Sequence, residues 1–287
     1  MPWGAVFRRL SLAVALIFSA ALLTSAADGR FNPPRGQALR YSYFQTRDDG
    51  HIVREFIIER RVVFEQTAGG ITAEVTQTRT ADRAGPEVGE SFQAGLAVFM
   101  WRPIKYRLDA SGAIVMIDNA AALWELFCNG MEAMVQGNDA RAKARRALLD
   151  QYINTMRSLP EARKLKMLGS YLSPIIATSI PPLTTGAGRD ITLPFNNALG
   201  EASQLSGKER VVALSAGMIL VETTAQGDAA ATPKTPAAHF SVERRQQIDT
   251  TTGLIVELHE VRTTQIGEGE NKARQISTVV STLAPVS

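Results

Sequence analysis

Apolar and polar residues alternate along the chain from residue 38 onward, at the period of a β-strand. Between residues 51 and 66, the even positions are mainly apolar, whereas the odd positions mix apolar residues with Glu and Arg. The even positions are Ile52, Arg54, Phe56, Ile58, Arg60, Val62 and Phe64. Because successive side chains of a strand point to opposite faces, this pattern predicts a sheet with one covered face and one largely wet face.

The same alternation predicts two groups of strands. The first group comprises residues 38–46, 51–66, 71–80, 91–99, 103–108 and 113–117. The second group comprises residues 191–195, 208–214, 218–224, 240–248, 254–264 and 274–282. Short turns rich in Gly and Asp join several of these segments, which favours antiparallel pairing. Residues 226–238, rich in Ala, Thr and Pro, are expected to form a long flexible loop inside one hairpin.

A stretch with a helical period, residues 118–183, separates the two groups. Asp118 and Asn119 can cap a first helix. Its apolar residues fall on one stripe, namely Leu123, Trp124, Phe127, Met131, Met134 and Val135. Two more helices are expected between residue 139 and about residue 168, followed by apolar chain that Pro174, Pro181 and Pro182 interrupt.

These elements predict an α+β fold that is mainly antiparallel β. A curved β-meander or open barrel, with a helical insert packed on its apolar face, buries both apolar surfaces most simply. We expect a single β-rich domain over residues 38–287. It would consist of a β half (38–117), the helical insert (118–183) and a second β half (190–284).

An internal repeat relates the two β halves. Residues 56–71 align without a gap with residues 240–255 and share Phe, Glu, Arg, Arg, Thr, Gly and Ile. Residues 108–114 repeat the turn part with one residue fewer. The repeat predicts two related hairpins, in which Gly69 and Gly253 are equivalent and an acidic residue before each turn accepts bonds from backbone amides. Convergence on a common turn is the alternative to duplication.

Each copy of the repeat contains a Glu-Arg-Arg triplet, and its first arginine lies on the same face as the apolar residue four positions later. Two interpretations of these arginines, Arg60 and Arg244, are open. They could be related contacts for an anion, one in each half. They could instead pair with glutamates on neighbouring strands, such as Glu74 and Glu257. Cross-strand pairing is the favoured interpretation, because charged pairs are common on a sheet surface.

Residues 1–27 have the three parts of a secretory signal peptide. Arg8 and Arg9 give a positive start, an apolar stretch follows, and small residues then allow cleavage after Ala26 or Ala27. The alternative is an uncleaved membrane anchor. It is disfavoured because the apolar stretch is shorter than the roughly 20 residues that span a bilayer. The mature protein is therefore expected to be periplasmic or secreted.

After cleavage, residues 28–37 are expected to form a polar, flexible lead-in. The single cysteine, Cys128, lies far from the cleavage site, so a lipid anchor on a cysteine is not expected. One cysteine also allows no intramolecular disulfide. Since Cys128 falls within an apolar helical pattern, we expect it to be a small buried hydrophobic residue.

Residue types that carry catalysis and metal binding are scarce or unsuitably spaced. The chain has three histidines and one cysteine, and no two histidines have the helical spacing of zinc proteases. It contains no nucleophile elbow, phosphate loop or dinucleotide fingerprint. The net charge of +3 includes two arginines of the signal segment, so the mature protein is almost neutral and nucleic acid is not an expected partner. We expect no catalytic residues, no metal and no cofactor.

The second predicted helix carries a cluster of basic residues, Arg141, Lys143, Arg145 and Arg146. Such a cluster can contact the anionic headgroups of a membrane surface. The alternative is an ordinary solvated helix face, which is the favoured interpretation in a chain that is nearly neutral overall.

The order of strands and the central helical insert resemble those of the periplasmic lipoprotein-localisation carriers, which are open β-barrels with helices on the concave side. The resemblance implies a carrier or sensor that binds a lipid or another hydrophobic ligand between sheet and helices. The candidate ligand contacts are Trp124, Phe127, Met131, Met134 and Tyr171. The alternative function is an envelope structural or interaction protein, whose helices only complete the core.

Overall fold

The computed structural model of the protein describes residues 31–83, 98–132, 140–177, 179–181, 184–186, 188–196, 202–231, 236–267 and 273–286. These residues form one antiparallel sheet of eleven strands together with three α-helices. The predicted signal peptide and Met134 lie outside the described residues, as do residues 91–97 of one predicted strand.

The strands are β1 (Ala38–Asp48), β2 (Val53–Thr67), β3 (Gly70–Asp82), β4 (Pro103–Leu108), β5 (Ile114–Ile117), β6 (Gly188–Asn196), β7 (Ala202–Ser215), β8 (Met218–Ala229), β9 (Ala238–Asp249), β10 (Leu254–Ile266) and β11 (Ala273–Pro285). Their order across the sheet is β5-β4-β3-β2-β1-β11-β10-β9-β8-β7-β6. Strands β5 and β6 form the two edges, so the sheet does not close into a barrel.

The two halves of the sheet meet where strand β1 pairs with strand β11. This pairing runs from Leu39 opposite Pro285 to Asp48 opposite Ile276. On one side of it, β1–β5 form a five-stranded meander, and on the other side β6–β11 form a six-stranded one. Strands β2 and β9, which carry the two copies of the sequence repeat, lie in different meanders.

Alternation along the strands determines which face of the sheet is buried. In β2, Phe56, Val62 and Phe64 are buried, whereas Arg61 and Glu65 are exposed. The buried side chains define what we call the inner face of the sheet. The predicted fold class, a mainly antiparallel α+β fold with a curved sheet and a helical insert, is confirmed.

The insert consists of α1 (Ala120–Glu132), α2 (Ala140–Arg157) and α3 (Glu161–Gly169), followed by a short 3-10 turn, Ser173–Ile175. Buried side chains of these elements pack with those of β1–β5 in one cluster, which we call the helix-covered core. Cys128 is fully buried within it, as expected, and burial raises the pKa of its thiol. No helix in the described part of the chain is both long and apolar enough to cross a membrane.

The first described residue of the lead-in before β1, Phe31, differs from the prediction. Phe31 is buried. Its ring packs against Gly112 and Gly253, which lie in two different turns, at the positions where a side chain would stand on any other residue. The amide of Phe31 donates to the carbonyl of Ala110 at 3.2 Å. The expectation of a flexible segment is therefore wrong for Phe31, because two glycines without side chains leave a site that this ring fills.

The predicted loop at residues 226–238 is shorter than expected. Strand β8 continues to Ala229, and β9 already begins at Ala238. Gln226 pairs with Ser206 on one side and with Ser241 on the other. Polar residues can extend these strands because the neighbouring strands supply hydrogen-bond partners for the backbone. The local sequence does not reveal those partners.

Both copies of the repeat lie in β-hairpins, but the two hairpins differ in register. In the first hairpin, Gln66 pairs with Ile71, whereas in the second Asp249 pairs with Leu254. The two registers are therefore offset, and Gly253 has a positive φ of 74° while Gly69 does not. The predicted equivalence of Gly69 and Gly253 is wrong.

The turn after Asp249 has a closer counterpart after Asp109. Each aspartate accepts a hydrogen bond at 2.8 Å from the amide two residues later, in Ser111 or Thr251. Each also accepts a bond at 2.6 Å from the hydroxyl of that same residue. The predicted role of an acidic residue before the turn is thus confirmed for these two turns.

Candidate functional site

The helical residues predicted to contact a ligand lie in the helix-covered core and pack against one another. Trp124 is 3% exposed, and its indole Nε1 donates to the carbonyl of Met156 at 3.0 Å. The rings of Trp124 and Phe127 are 5.4 Å apart. Met131 is also buried in this cluster. The structure therefore brings these three residues together as parts of a hydrophobic core.

Tyr171 joins the same cluster from the chain that follows α3. Its ring lies 5.4 Å from that of Phe99, which in turn stacks on Phe127 at 6.2 Å. Burial raises the pKa of Tyr171 to about 12, although the nearby charge of Arg60 opposes that shift. Phe99 thus connects α1, through Phe127, with the chain that follows α3, through Tyr171.

Arg60 is buried beneath this aromatic group. Its guanidinium lies 5.5 Å from the ring centroid of Tyr41 and 4.6 Å from that of Tyr171. Nη1 donates to the carbonyl oxygen of Tyr171 at 2.8 Å. No carboxylate of the described residues pairs with Arg60, so aromatic faces and a carbonyl stabilise its charge. The glutamate partner suggested for this arginine, Glu74, contacts Lys105 at 3.8 Å instead.

Arg244 occupies the equivalent position on β9 and has a different partner. Its Nε donates to the carboxylate of Glu260 at 2.6 Å, directly across the pair of strands. Cross-strand pairing with a glutamate is therefore confirmed for Arg244. The specific partner proposed from the sequence, Glu257, is wrong, because Glu257 lies opposite Gln247 whereas Glu260 lies opposite Arg244.

Glu260 is the most deeply buried carboxylate of this region, with 3% of the residue exposed. Burial opposes its charge, but the guanidinium groups of Arg262 and Arg244 outweigh that effect and lower the pKa of Glu260 to about 2. The carboxylate accepts hydrogen bonds from both arginines. A buried carboxylate held between two cations stays ionised at neutral pH.

The register places Glu260 and Arg244 in a longer line of polar side chains. Arg189 on β6 lies opposite Glu209 on β7, and Glu209 lies opposite Thr223 on β8. Thr223 lies opposite Arg244, which lies opposite Glu260. We call these five residues the polar row. It crosses the inner face of five consecutive strands.

Charged members of the polar row are engaged with one another. Arg189 Nε donates to the carboxylate of Glu209 at 2.8 Å, and Arg189 Nη2 donates to the hydroxyl of Ser179 at 2.7 Å. Arg244 uses Nε and Nη2 for Glu260. Two ion pairs thus flank Thr223, one on each side.

Two apolar clusters lie on either side of the polar row. The upper apolar cluster consists of Val211, Ile219, Val221, Ile248, Ile255, Leu258 and Val279. The lower apolar cluster consists of Leu193, Leu205, Ala225, Phe240 and Val242. None of these residues belongs to the described helices. Ala177 and Ile180, after the 3-10 turn, pack on the upper cluster.

No protein-family model matches this chain, and no curated protein matches it in sequence. Among the residues described, no group of three or more His, Cys, Asp or Glu side chains could hold a metal ion. The arrangement offers fixed hydrogen-bond donors and apolar surface, which are the means of binding a molecule with a polar and an apolar part.

The sequence did not identify Glu209, Thr223 or Glu260 as candidates. A signal was present, since each is a polar residue at a position where alternation places an apolar side chain. Thr223 follows Ile219 and Val221 at the same parity, and Glu260 follows Leu258. Polar residues that interrupt an apolar face are informative because burial without partners is costly.

The basic cluster on α2 is only partly described. Arg146 is exposed, and the side chains of Arg141, Lys143 and Arg145 lie outside the described residues. Near the end of the same helix, Arg157 donates to Glu125 at 2.8 Å and to Glu132 at 2.7 Å. These bonds join α2 to α1 on the outside of the insert.

Proposed function

We propose that this protein is exported, loses its signal peptide near Ala26 or Ala27, and binds a lipid or another hydrophobic ligand on the inner face of its sheet. The ligand lies against strands β6–β10, beside the end of the helical insert. In this proposal the protein acts as a carrier or sensor in the periplasm or outside the cell, with no catalytic step.

The observation that carries this proposal is the difference in what packs on the two halves of the inner face. Three helices fill the space over β1–β5. Over β6–β10, two apolar clusters flank the polar row, and no described helix contributes to either cluster. Apolar side chains with a few fixed polar groups among them are typical of ligand sites.

A fluorescent fatty-acid probe tests the proposal, with a matched pair of phenylalanine variants. Phe240 belongs to the lower apolar cluster and is 5% exposed, whereas Phe44 on the outer face is 36% exposed. We expect micromolar probe binding that Phe240→Leu weakens at least threefold and Phe44→Leu leaves unchanged. Absence of binding by folded wild-type protein, or equal effects of both variants, would contradict the proposal.

Export has a separate test. The intact mass of protein recovered from the periplasm should correspond to a start at Ala27 or Asp28. A mass that includes residue 1 would mean that the segment is retained, and the proposed location would then be wrong. Native mass spectrometry of the same sample would also detect a lipid that remains bound during purification.

The proposal includes contact between helix α2 and an anionic membrane surface, through Arg141, Lys143, Arg145 and Arg146. Each basic residue near such a surface contributes about 1 kcal/mol of attraction. Vesicles containing anionic lipid should therefore sediment with the protein at low salt, and neutral vesicles should not. Binding that is independent of lipid charge would remove this part of the proposal.

The alternative is an envelope structural or interaction protein without a small-molecule ligand. The packing of Trp124, Phe127 and Tyr171 favours it for the helical half, because Trp124 contacts Phe127 and Tyr171 contacts Phe99 within one closed core. If no probe or lipid binds, this function takes the place of ligand binding.

A further inference from the structure

Thr223 is the one member of the polar row whose hydrogen-bonding group is not engaged. It is 2% exposed, and its hydroxyl has no hydrogen-bond partner in the described part of the chain. A buried hydroxyl without a partner costs about 1–3 kcal/mol. Proteins retain such a group where it has a role, so its surroundings indicate what it would bind.

The nearest polar neighbours of Thr223 provide a second donor. Arg244 lies directly opposite on β9, at a cross-strand separation of about 5 Å. Glu260 accepts bonds from its Nε and Nη2, whereas Nη1 makes no hydrogen bond to the described residues. The side chain of Arg244 is 18% exposed.

We propose that Thr223 and Arg244 bind the carboxylate of a single-chain fatty acid, whose tail lies on the lower apolar cluster. This inference rests on the proposed function and specifies its ligand class. The hydroxyl of Thr223 and Nη1 of Arg244 each donate to the ligand carboxylate. The tail contacts Ala225, Val242 and Phe240, which continue the same face along the same two strands.

Two features favour an anionic headgroup. Both available groups act as donors, and a carboxylate can accept both bonds, each of them charge-assisted because the acceptor is ionised. The neighbouring acids are already bound by arginines, Glu209 by Arg189 and Glu260 by Arg244.

Dodecanoate and dodecanol, measured by calorimetry on the mature protein, test the inference. They share the same tail and differ at the head. Wild-type protein should bind dodecanoate at least tenfold more tightly than dodecanol, because the alcohol cannot form the charge-assisted pair. Thr223→Val should weaken dodecanoate binding about tenfold and change dodecanol binding less than twofold.

Two further variants control for structural effects. Thr223→Ser keeps the hydroxyl and should restore dodecanoate binding. Thr224→Val lies on the exposed outer face of the same strand and should bind as the wild type does. Thr223→Val should also unfold at the same or a higher urea concentration, since valine removes a hydroxyl that has no partner in the unliganded protein.

These outcomes distinguish failure of the headgroup site from failure of the proposed function. If wild-type protein binds both compounds equally and Thr223→Val has no effect, this headgroup site is wrong while hydrophobic ligand binding stands. If neither compound binds, the proposed function fails together with the site. A loss of stability in Thr223→Val would show a structural partner for the hydroxyl and would overturn the assignment.

Discussion

Strands β1–β5 and strands β6–β10 bury their inner faces by different means. On the first side, helices α1–α3 supply aromatic and aliphatic side chains that fill the space above the sheet. On the second side, the buried side chains come almost entirely from the strands, and a line of ion pairs crosses between two apolar clusters. One continuous sheet thus combines a closed core with a surface that retains polar groups.

Two arginines at equivalent positions of the repeat illustrate this difference between the two halves of the sheet. Arg60 and Arg244 hold the same position in the repeat, and both lie on the inner face. Where the helical insert is present, Arg60 is stabilised by the ring and carbonyl of Tyr171. Where no described helix packs, Arg244 is stabilised by Glu260 from the next strand. The repeat conserves the arginine, and the local environment determines its partner.

The largest predicted loss of stability is in the helix-covered core. Trp124→Ala should lower the free energy of unfolding by about 4 kcal/mol, because it removes a buried indole and the hydrogen bond from Nε1. Urea denaturation followed by circular dichroism measures this loss. Trp101, which is 69% exposed, is the matched control, and its replacement by Ala should cost less than about 1 kcal/mol. Similar losses for both tryptophans would mean that the helices do not form a closed core.

The second prediction concerns the ion pairs of the other half. The folded pKa of Glu260, about 2, is below its ordinary value of 4.5. Its contribution to stability is therefore complete above about pH 4.5 and declines as the pH falls towards 2. This single shift corresponds to on the order of 3 kcal/mol. Burial opposes the charge of Asp249, but bonds from Thr251 and Thr252 lower its pKa, so this aspartate contributes in the same pH range.

Glu260→Gln isolates the contribution of the glutamate. The variant should be less stable than the wild type at neutral pH, because two arginines then lack a buried counter-charge. It should also lose less stability than the wild type between pH 5 and pH 2.5. Parallel stability curves for the two proteins, from urea titrations at several pH values, would show that Glu260 is not strongly coupled to its arginines.

The smallest predicted effect tests the two turns of the repeat. Gly253→Ala should cost about 1 kcal/mol or more, since φ is positive and the new methyl group would lie 3.1 Å from the ring of Phe31. Gly69→Ala is the control, because its backbone needs no positive φ, and it should change stability by less than about 0.5 kcal/mol. Equal costs at both positions would restore the equivalence of the two turns.

Elements and faces were predictable from the sequence because their signals are local. The period of alternation identified the strands, and the stripe that contains Leu123 and Trp124 identified the first helix. The polar row was not predictable, because Arg189, Glu209 and Glu260 become neighbours only through strand register. One irregularity in the pairing of β10, between Ile255 and Glu257, brings Glu260 rather than His259 opposite Arg244. The contact between Arg60 and Tyr171 likewise joins residues 111 positions apart.

The pairing of β1 with β11 has a consequence for how the chain folds. Strands at opposite ends of the described chain are direct neighbours, so the central part of the sheet cannot form until residues 273–285 have become available. Contacts of such long sequence separation slow folding. A nascent chain that lacks β11 has two unfinished meanders and exposed strand edges. Deleting residues 273–285 should therefore leave no half that folds alone, and limited proteolysis of that truncated protein would degrade both meanders together.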